Sequence, residues 1–159
     1  MGTVQGPGSG CVCPESAFLK AVLNHLVLQR RQVVVVDMDA GLEHLGRGTA
    51  RGVDSFIVVV EPGRKSIETA TRIQELAAGL GIQRVVAVGN KIRGDEDRAF
   101  VASELNGLQV LGWMMYNTAA IECDMHGFSL WENDVQFQRE IRTIGANLVE
   151  ENNHEQGRR

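Results

Sequence analysis

Three groups of residues in this chain have the types and spacing to do chemistry: Cys11-Val12-Cys13, Asp37-Met38-Asp39-Ala40-Gly41 and Asn90-Lys91. Two thiolates one residue apart are half of a tetrahedral sulfur site for a metal ion. Cys13 precedes Pro14, which opens a helical pattern, and a thiol at a helix N-terminus is biased towards thiolate. A residue before proline is also pushed towards extended geometry, so the two thiols can diverge instead of chelating. A second copy related by a two-fold axis would supply the missing pair of ligands, which makes a metal-bridged homodimer the economical arrangement. The plainer reading is two small residues in a loop, and both readings stand. Cys123 is alone and reads as structural.

Asp37 follows four valines, residues 33–36, whose β-branching and short run predict a buried strand at 33–37. An acid at the carboxyl end of a buried parallel strand lies where open α/β sheets place their ligands. In phosphate-transfer sites such an Asp holds Mg²⁺ directly or through water, and a glycine such as Gly41 lets the loop approach the γ-phosphate. That chemistry also needs a phosphate loop upstream. The Gly-rich residues 2–10 do not supply it: no strand precedes them, and the first lysine, Lys20, falls inside an amphipathic helix pattern.

Asn90-Lys91 closes the apolar run 84–88, where an amide can hydrogen-bond a base while a lysine stem packs on its plane. The guanine-selective form of this pair carries an Asp two residues after the lysine; here that residue is Arg93. His44, between Glu43 and Arg47, reads as a solvated loop histidine, and His25 and His154 meet no other chemistry. Glu61-Pro62 reads as a strand end, with Arg64-Lys65 as a solvated helix start.

The elements that must position these groups alternate. A helical pattern from Pro14 carries Phe18, Val22, Leu23, Leu26 and Val27 on one face. Strands are predicted at 33–37, 56–60, 84–88 and 110–113, and helices at 65–79, 95–105 and 135–149. Such alternation implies βαβ units and a mostly parallel sheet flanked by helices. Residues 1–10 read as a flexible Gly-rich segment, 11–150 as one α/β unit and 151–159 as a frayed polar tail.

Composition narrows the classes. The chain has 159 residues, 43% hydrophobic, enough for one domain with a modest core. A net charge of -4 gives no reason to expect nucleic-acid binding. No apolar run approaches the ~20 residues of a membrane span, and the N-terminus has no signal-peptide pattern. Three cysteines form no closed disulfide framework, so reduced thiols in a cytoplasm are expected.

Taken in order, Cys-x-Cys, DMDAGLEHLGRGTA, VDSFIVVVEPGRKSIETA and VGNKIR resemble the carbon monoxide dehydrogenase maturation ATPases of the CooC type, relatives of the MinD and ParA-like ATPases with deviant Walker A loops. The resemblance covers nearly all of residues 11–149. It implies an incomplete P-loop NTPase fold of the MinD kind, in an ATP-dependent homodimer that inserts nickel into its client, carbon monoxide dehydrogenase. By that resemblance Cys11 and Cys13 hold nickel or zinc at the dimer interface, and Asp37 is the Walker B acid acting on Mg²⁺. The loop 37–41 is then switch II, and Asn90, with Lys91, contacts the adenine of ATP. Two departures stand out. The N-terminal strand, phosphate loop and first switch have no counterpart, so the chain resembles the C-terminal two-thirds of a member and is expected not to hydrolyse ATP alone. The proline usual after the last strand is replaced within GWMMYN. Two other readings are a non-catalytic, dimeric metal-binding module built on Cys-x-Cys and a receiver-type module phosphorylated on Asp37.

A parallel sheet that lacks its first strand leaves backbone groups unpaired. The isolated chain is therefore expected to be poorly soluble or marginally stable in thermal unfolding. A cooperative transition at high temperature would contradict this.

Overall fold

A computed structural model of the chain describes residues 33–37, 55–79 and 81–156. Three strands form a parallel sheet in the order β1 (Ser55–Val60), β2 (Arg84–Ile92), β3 (Gln109–Met115). Helix α1 (Arg64–Gly79) joins β1 to β2, and α2 (Asp95–Glu104) joins β2 to β3. After β3 come α3 (Ala119–His126), the single turn α4 (Leu130–Asn133) and the long α5 (Val135–Gln156). The expected α/β architecture, a parallel sheet flanked by helices, is present.

The core has two layers because each strand alternates its side chains between the two faces of the sheet. On one face Val58, Val60, Ala87 and Ile92 pack with Ile67 and Ala70 of α1 and with Val101 and Leu105 at the end of α2. On the other, Val86, Val88 and Leu111 pack against Ile144 and Leu148 of α5. Arg84, buried at the start of β2, donates from Nη2 to Leu148 O at 3.3 Å and ties α5 to the sheet. This second layer covers β2 and β3 and leaves Ile57 and Val59 of β1 exposed.

Local chemistry sets the element ends. Three acids, Asp95, Glu96 and Asp97, fill the first turn of α2, where the helix dipole favours negative charge. Between α2 and β3 the chain reverses through Asn106 (φ 45°) and Gly107 (φ 85°), closed by Leu108 N–H donating to Leu105 O at 3.0 Å. Asn and Gly are the residues that adopt positive φ most readily.

The outer edge of β3 is irregular. Ala87 pairs with Val110 but Val88 with Gly112, so Leu111 is the extra residue of a bulge. Gly112 is required there, since a Cβ would lie 2.6 Å from Ile144 Cγ1. Side chains of α5 engage the edge: Asn147 Nδ2 donates to Leu111 O at 2.7 Å, and Glu140 Oε2 accepts from Met115 N–H at 3.2 Å. Bulges and covered backbone groups are how an open edge avoids pairing with another chain.

Several expectations need correction. Residues 33–37 form no strand, and Val33, Val34 and Val35 are exposed, 69%, 44% and 82%. β-Propensity is a preference for packing on a pleated surface and is realised only beside a partner strand. No strand among the described residues pairs with this run. The tail expected to fray from residue 151 instead continues α5 to Gln156, which the helix-compatible Glu and Gln residues permit. Helices α3 and α4 were not expected; α3 turns Ile121 and Met125 to solvent, so it lacks an apolar stripe towards the core. The helix pattern after Pro14 lies outside the described residues.

Two outcomes follow. Gly89 lies under the Trp113 ring, and a Cβ there would come within 2.2 Å of it. Gly89→Ala should cost about 1–3 kcal/mol in urea denaturation, with Trp113→Leu recovering part of the loss. Asp134 precedes α5 and accepts hydrogen bonds from Phe137 N–H at 2.8 Å and Asn117 Nδ2 at 2.6 Å. The Phe137 bond and then the Asn117 bond hold its carboxyl below the ordinary carboxylate range. A lowered folded-state pKa means this contribution is complete above the ordinary range and is lost as pH falls through the lower value. The stability gap between the native chain and Asp134→Asn should therefore close on acidification below pH ~4.

Candidate functional site

The carboxyl ends of the three parallel strands bring together Glu61 after β1, Asn90 and Lys91 within β2, and Tyr116 after β3. Crevices at this end of parallel α/β sheets are where ligands bind. The central strand is distorted there. Gly89 pairs with Trp113 and Ile92 with Met115, so two β2 residues, Asn90 and Lys91, stand opposite Met114 alone. Lys91 has φ 55°, a left-handed conformation that is costly for a side chain of its kind. Ile92, wholly buried, and its carbonyl, which accepts from Tyr116 N–H at 2.8 Å, lock the strand beyond the bulge. Strained backbone persists only where its surroundings hold it, and such positions cluster at binding sites.

The bulge re-aims both side chains. Lys91 Nζ pairs with Glu61 Oε1 at 2.7 Å, each side chain about half exposed. An ion pair this exposed contributes roughly 0–1 kcal/mol, so it orients the lysine more than it stabilises the fold. Glu61 is held by its own N–H, which donates to Ser66 Oγ of α1 at 2.9 Å. The Asn90 amide is half-buried and has no hydrogen-bond partner among the described residues. On the far side Arg93 lies over the Tyr116 ring, 5.3 Å from its centroid, while its N–H donates to Asp97 Oδ2 at 2.8 Å. The arrangement offers a planar group one free amide for its edge, a lysine stem and an aromatic ring capped by a guanidinium.

Of the residues singled out from sequence, Asn90 and Lys91 are thus brought to one strand end. Asp37 is exposed, and no hydrogen bond or ion pair links it to either. Gly41, Cys11 and Cys13 lie outside the described residues. Among those described, no group of three or more His, Cys, Asp and Glu could hold a metal ion. Cys123 is buried and unbonded, in keeping with a structural role. Sequence reasoning took Glu61 for a strand end and Arg93 only as the residue that replaces the guanine-selective Asp, and it did not single out Tyr116. A carboxylate ending one strand and a lysine ending the next was a signal for the first pair; nothing in the sequence announced the second.

Because Lys91 carries a left-handed backbone, Lys91→Gly should leave stability unchanged or raise it by up to about 1 kcal/mol. Lys91→Val should lower it by on the order of 1–2 kcal/mol, both read from denaturant midpoints.

No family model matches the chain. Among curated proteins it is 37% identical over 150 residues to the carbon monoxide dehydrogenase accessory protein CooC of Rhodospirillum rubrum, covering 94% of this chain and 57% of that protein. It is 42% identical over 129 residues to an uncharacterised ATP-binding protein of Methanocaldococcus jannaschii, covering 80% of this chain and 50% of the relative. A second such protein of that organism is 35% identical over 149 residues, covering 89% and 58%. The chain spans between half and three-fifths of the length of these relatives. On this similarity the chain belongs to the family of CooC and its ATP-binding relatives.

Proposed function

We propose that residues 11–150 form the base-binding and metal-bearing part of an ATP-dependent accessory protein for carbon monoxide dehydrogenase. The observation that carries this reading is the β2 bulge, which leaves the half-buried Asn90 amide unpartnered beside Lys91 at the carboxyl edge of the sheet. The names of the relatives support it, since one is an accessory protein of that enzyme and the others bind ATP. Asn90 meets the edge of adenine and the Lys91 stem covers its plane. Asp37 serves Mg²⁺, with Gly41 allowing its loop to approach the phosphates. Bound Mg²⁺ would neutralise the charge that develops on the phosphates during transfer.

Cys11 and Cys13 provide two thiolates for nickel or zinc, the cargo metal, and two copies complete a four-sulfur set. The homodimer is therefore also the unit that presents metal to the client. Three cysteines without a closed disulfide framework favour a cytoplasmic setting. Among the described residues no helix is long and apolar enough to cross a membrane.

The reading predicts that the purified chain carries one metal ion per two chains by elemental analysis. Cys11→Ser with Cys13→Ser should remove both the metal and the dimer. Asn90→Ala should weaken ADP binding about tenfold in calorimetry. A metal-free monomer would overturn the cysteine assignment; ADP affinity unchanged by Asn90→Ala would overturn the adenine assignment.

A further inference from the structure

Away from the strand ends, an open cleft of about 400 Å³ runs along the outer edge of β3, between α2 on one face of the sheet and α5 on the other. Its charged groups are Arg98 from α2 with Arg139 and Glu140 from α5. They are unequally satisfied. Both Glu140 oxygens are engaged, Oε1 by Gln136 Nε2 at 2.9 Å and Oε2 by Met115 N–H at 3.2 Å.

The guanidiniums are not matched in this way. Arg98 Nη2 reaches only the sulfur of Met115, at 3.3 Å, and Nη1 stands 3.7 Å from the fully exposed Asp95 carboxylate. Arg98 Nε is buried with no hydrogen-bond partner. Arg139 forms no hydrogen bond or ion pair through its side chain among the described residues. The Arg98 side chain is 42% exposed and keeps part of its hydration, but its one buried N–H lacks the partner that native structures usually give such a group.

We infer that this cleft is a binding site for an oxyanion, a carboxylate or phosphate group. Guanidinium N–H groups match the geometry of either, and an anion in the cleft would meet the exposed part of the Arg98 guanidinium together with the exposed fork of Arg139. Two arginines and one carboxylate line the cleft itself, and the second carboxylate, Asp95, stands outside the lining, 3.7 Å from Arg98. Asn147 adds a donor: one hydrogen of its Nδ2 is used by Leu111 O and the other remains. Strand addition at this edge is disfavoured by the bulge at Leu111 and by the side chains that already hold Leu111 O and Met115 N–H, which favours a small anionic group over an extended peptide.

The test follows the ¹H–¹⁵N signals of arginine Nε in the full chain during separate titrations with inorganic phosphate and with acetate. Arg98 Nε–H should shift saturably with at least one of them, and the tighter of the two identifies the preferred anion. Arg139→Ala and Arg98→Lys should each weaken that binding about tenfold or more. Glu140→Gln, which keeps an acceptor for Met115 N–H and removes a negative charge, should tighten it, and so gives a readout even if an arginine variant fails to fold. No saturable shift with either anion would overturn the inference. So would binding that survives both arginine substitutions, or shifts confined to Asn90 and Lys91.

Discussion

The structure depends on the pairing of β2 along both of its edges. Parallel ladders to β1 and β3, with apolar cover from α1 and α2 on one face and α5 on the other, make β2 the most constrained segment of the described chain. Constraint is what permits irregularity. A left-handed lysine in a free loop would relax, whereas Lys91 is held between Gly89, seated under Trp113, and the wholly buried Ile92. The rigid sheet thereby fixes the direction of two side chains at its carboxyl end, and a preorganised polar group binds without the cost of being ordered first.

β1 presents the opposite situation. One face is covered by α1, and the other exposes Ile57 and Val59. Parallel sheets are ordinarily covered on both faces, and strands such as β1 have the valine-rich composition of that environment. The exposed valines of 33–35 have the same character without a strand. These surfaces are apolar in kind and exposed among the described residues.

Much of this was legible in the sequence, and the failures have physical causes. Strand 56–60 and the helix at 65–79 were readable because each packs an apolar face on a neighbour, and strand 84–88 because it is apolar and covered on both faces. The helix at 95–105 was also readable, although α2 buries only Val101 among its own residues. Residues 33–37 were misread because four valines describe a strand's composition and not its partner. The boundary of β2 was placed too early, at 88, since Gly89-Asn90-Lys91 resembles a turn; the ladder instead runs to Ile92 through a bulge. Asn90-Lys91 was nevertheless identified as a candidate site. Glu61 was read as a mere strand end because its meaning lies in register: Val60 opposite Gly89 sets the next residue beside Asn90 and Lys91. The Arg93–Tyr116 stack joins two loops from different strands and has no linear signature.

The account rests most heavily on Asn90 as the contact to an adenine ring. The direct measurement is the ¹H–¹⁵N signal of the Asn90 side-chain amide during titration with ADP and, separately, GDP. A saturable shift with ADP, accompanied by Lys91 and much weaker with GDP, is the predicted result. An Asn90 amide indifferent to ADP, or one that responds equally to both nucleotides, would contradict it.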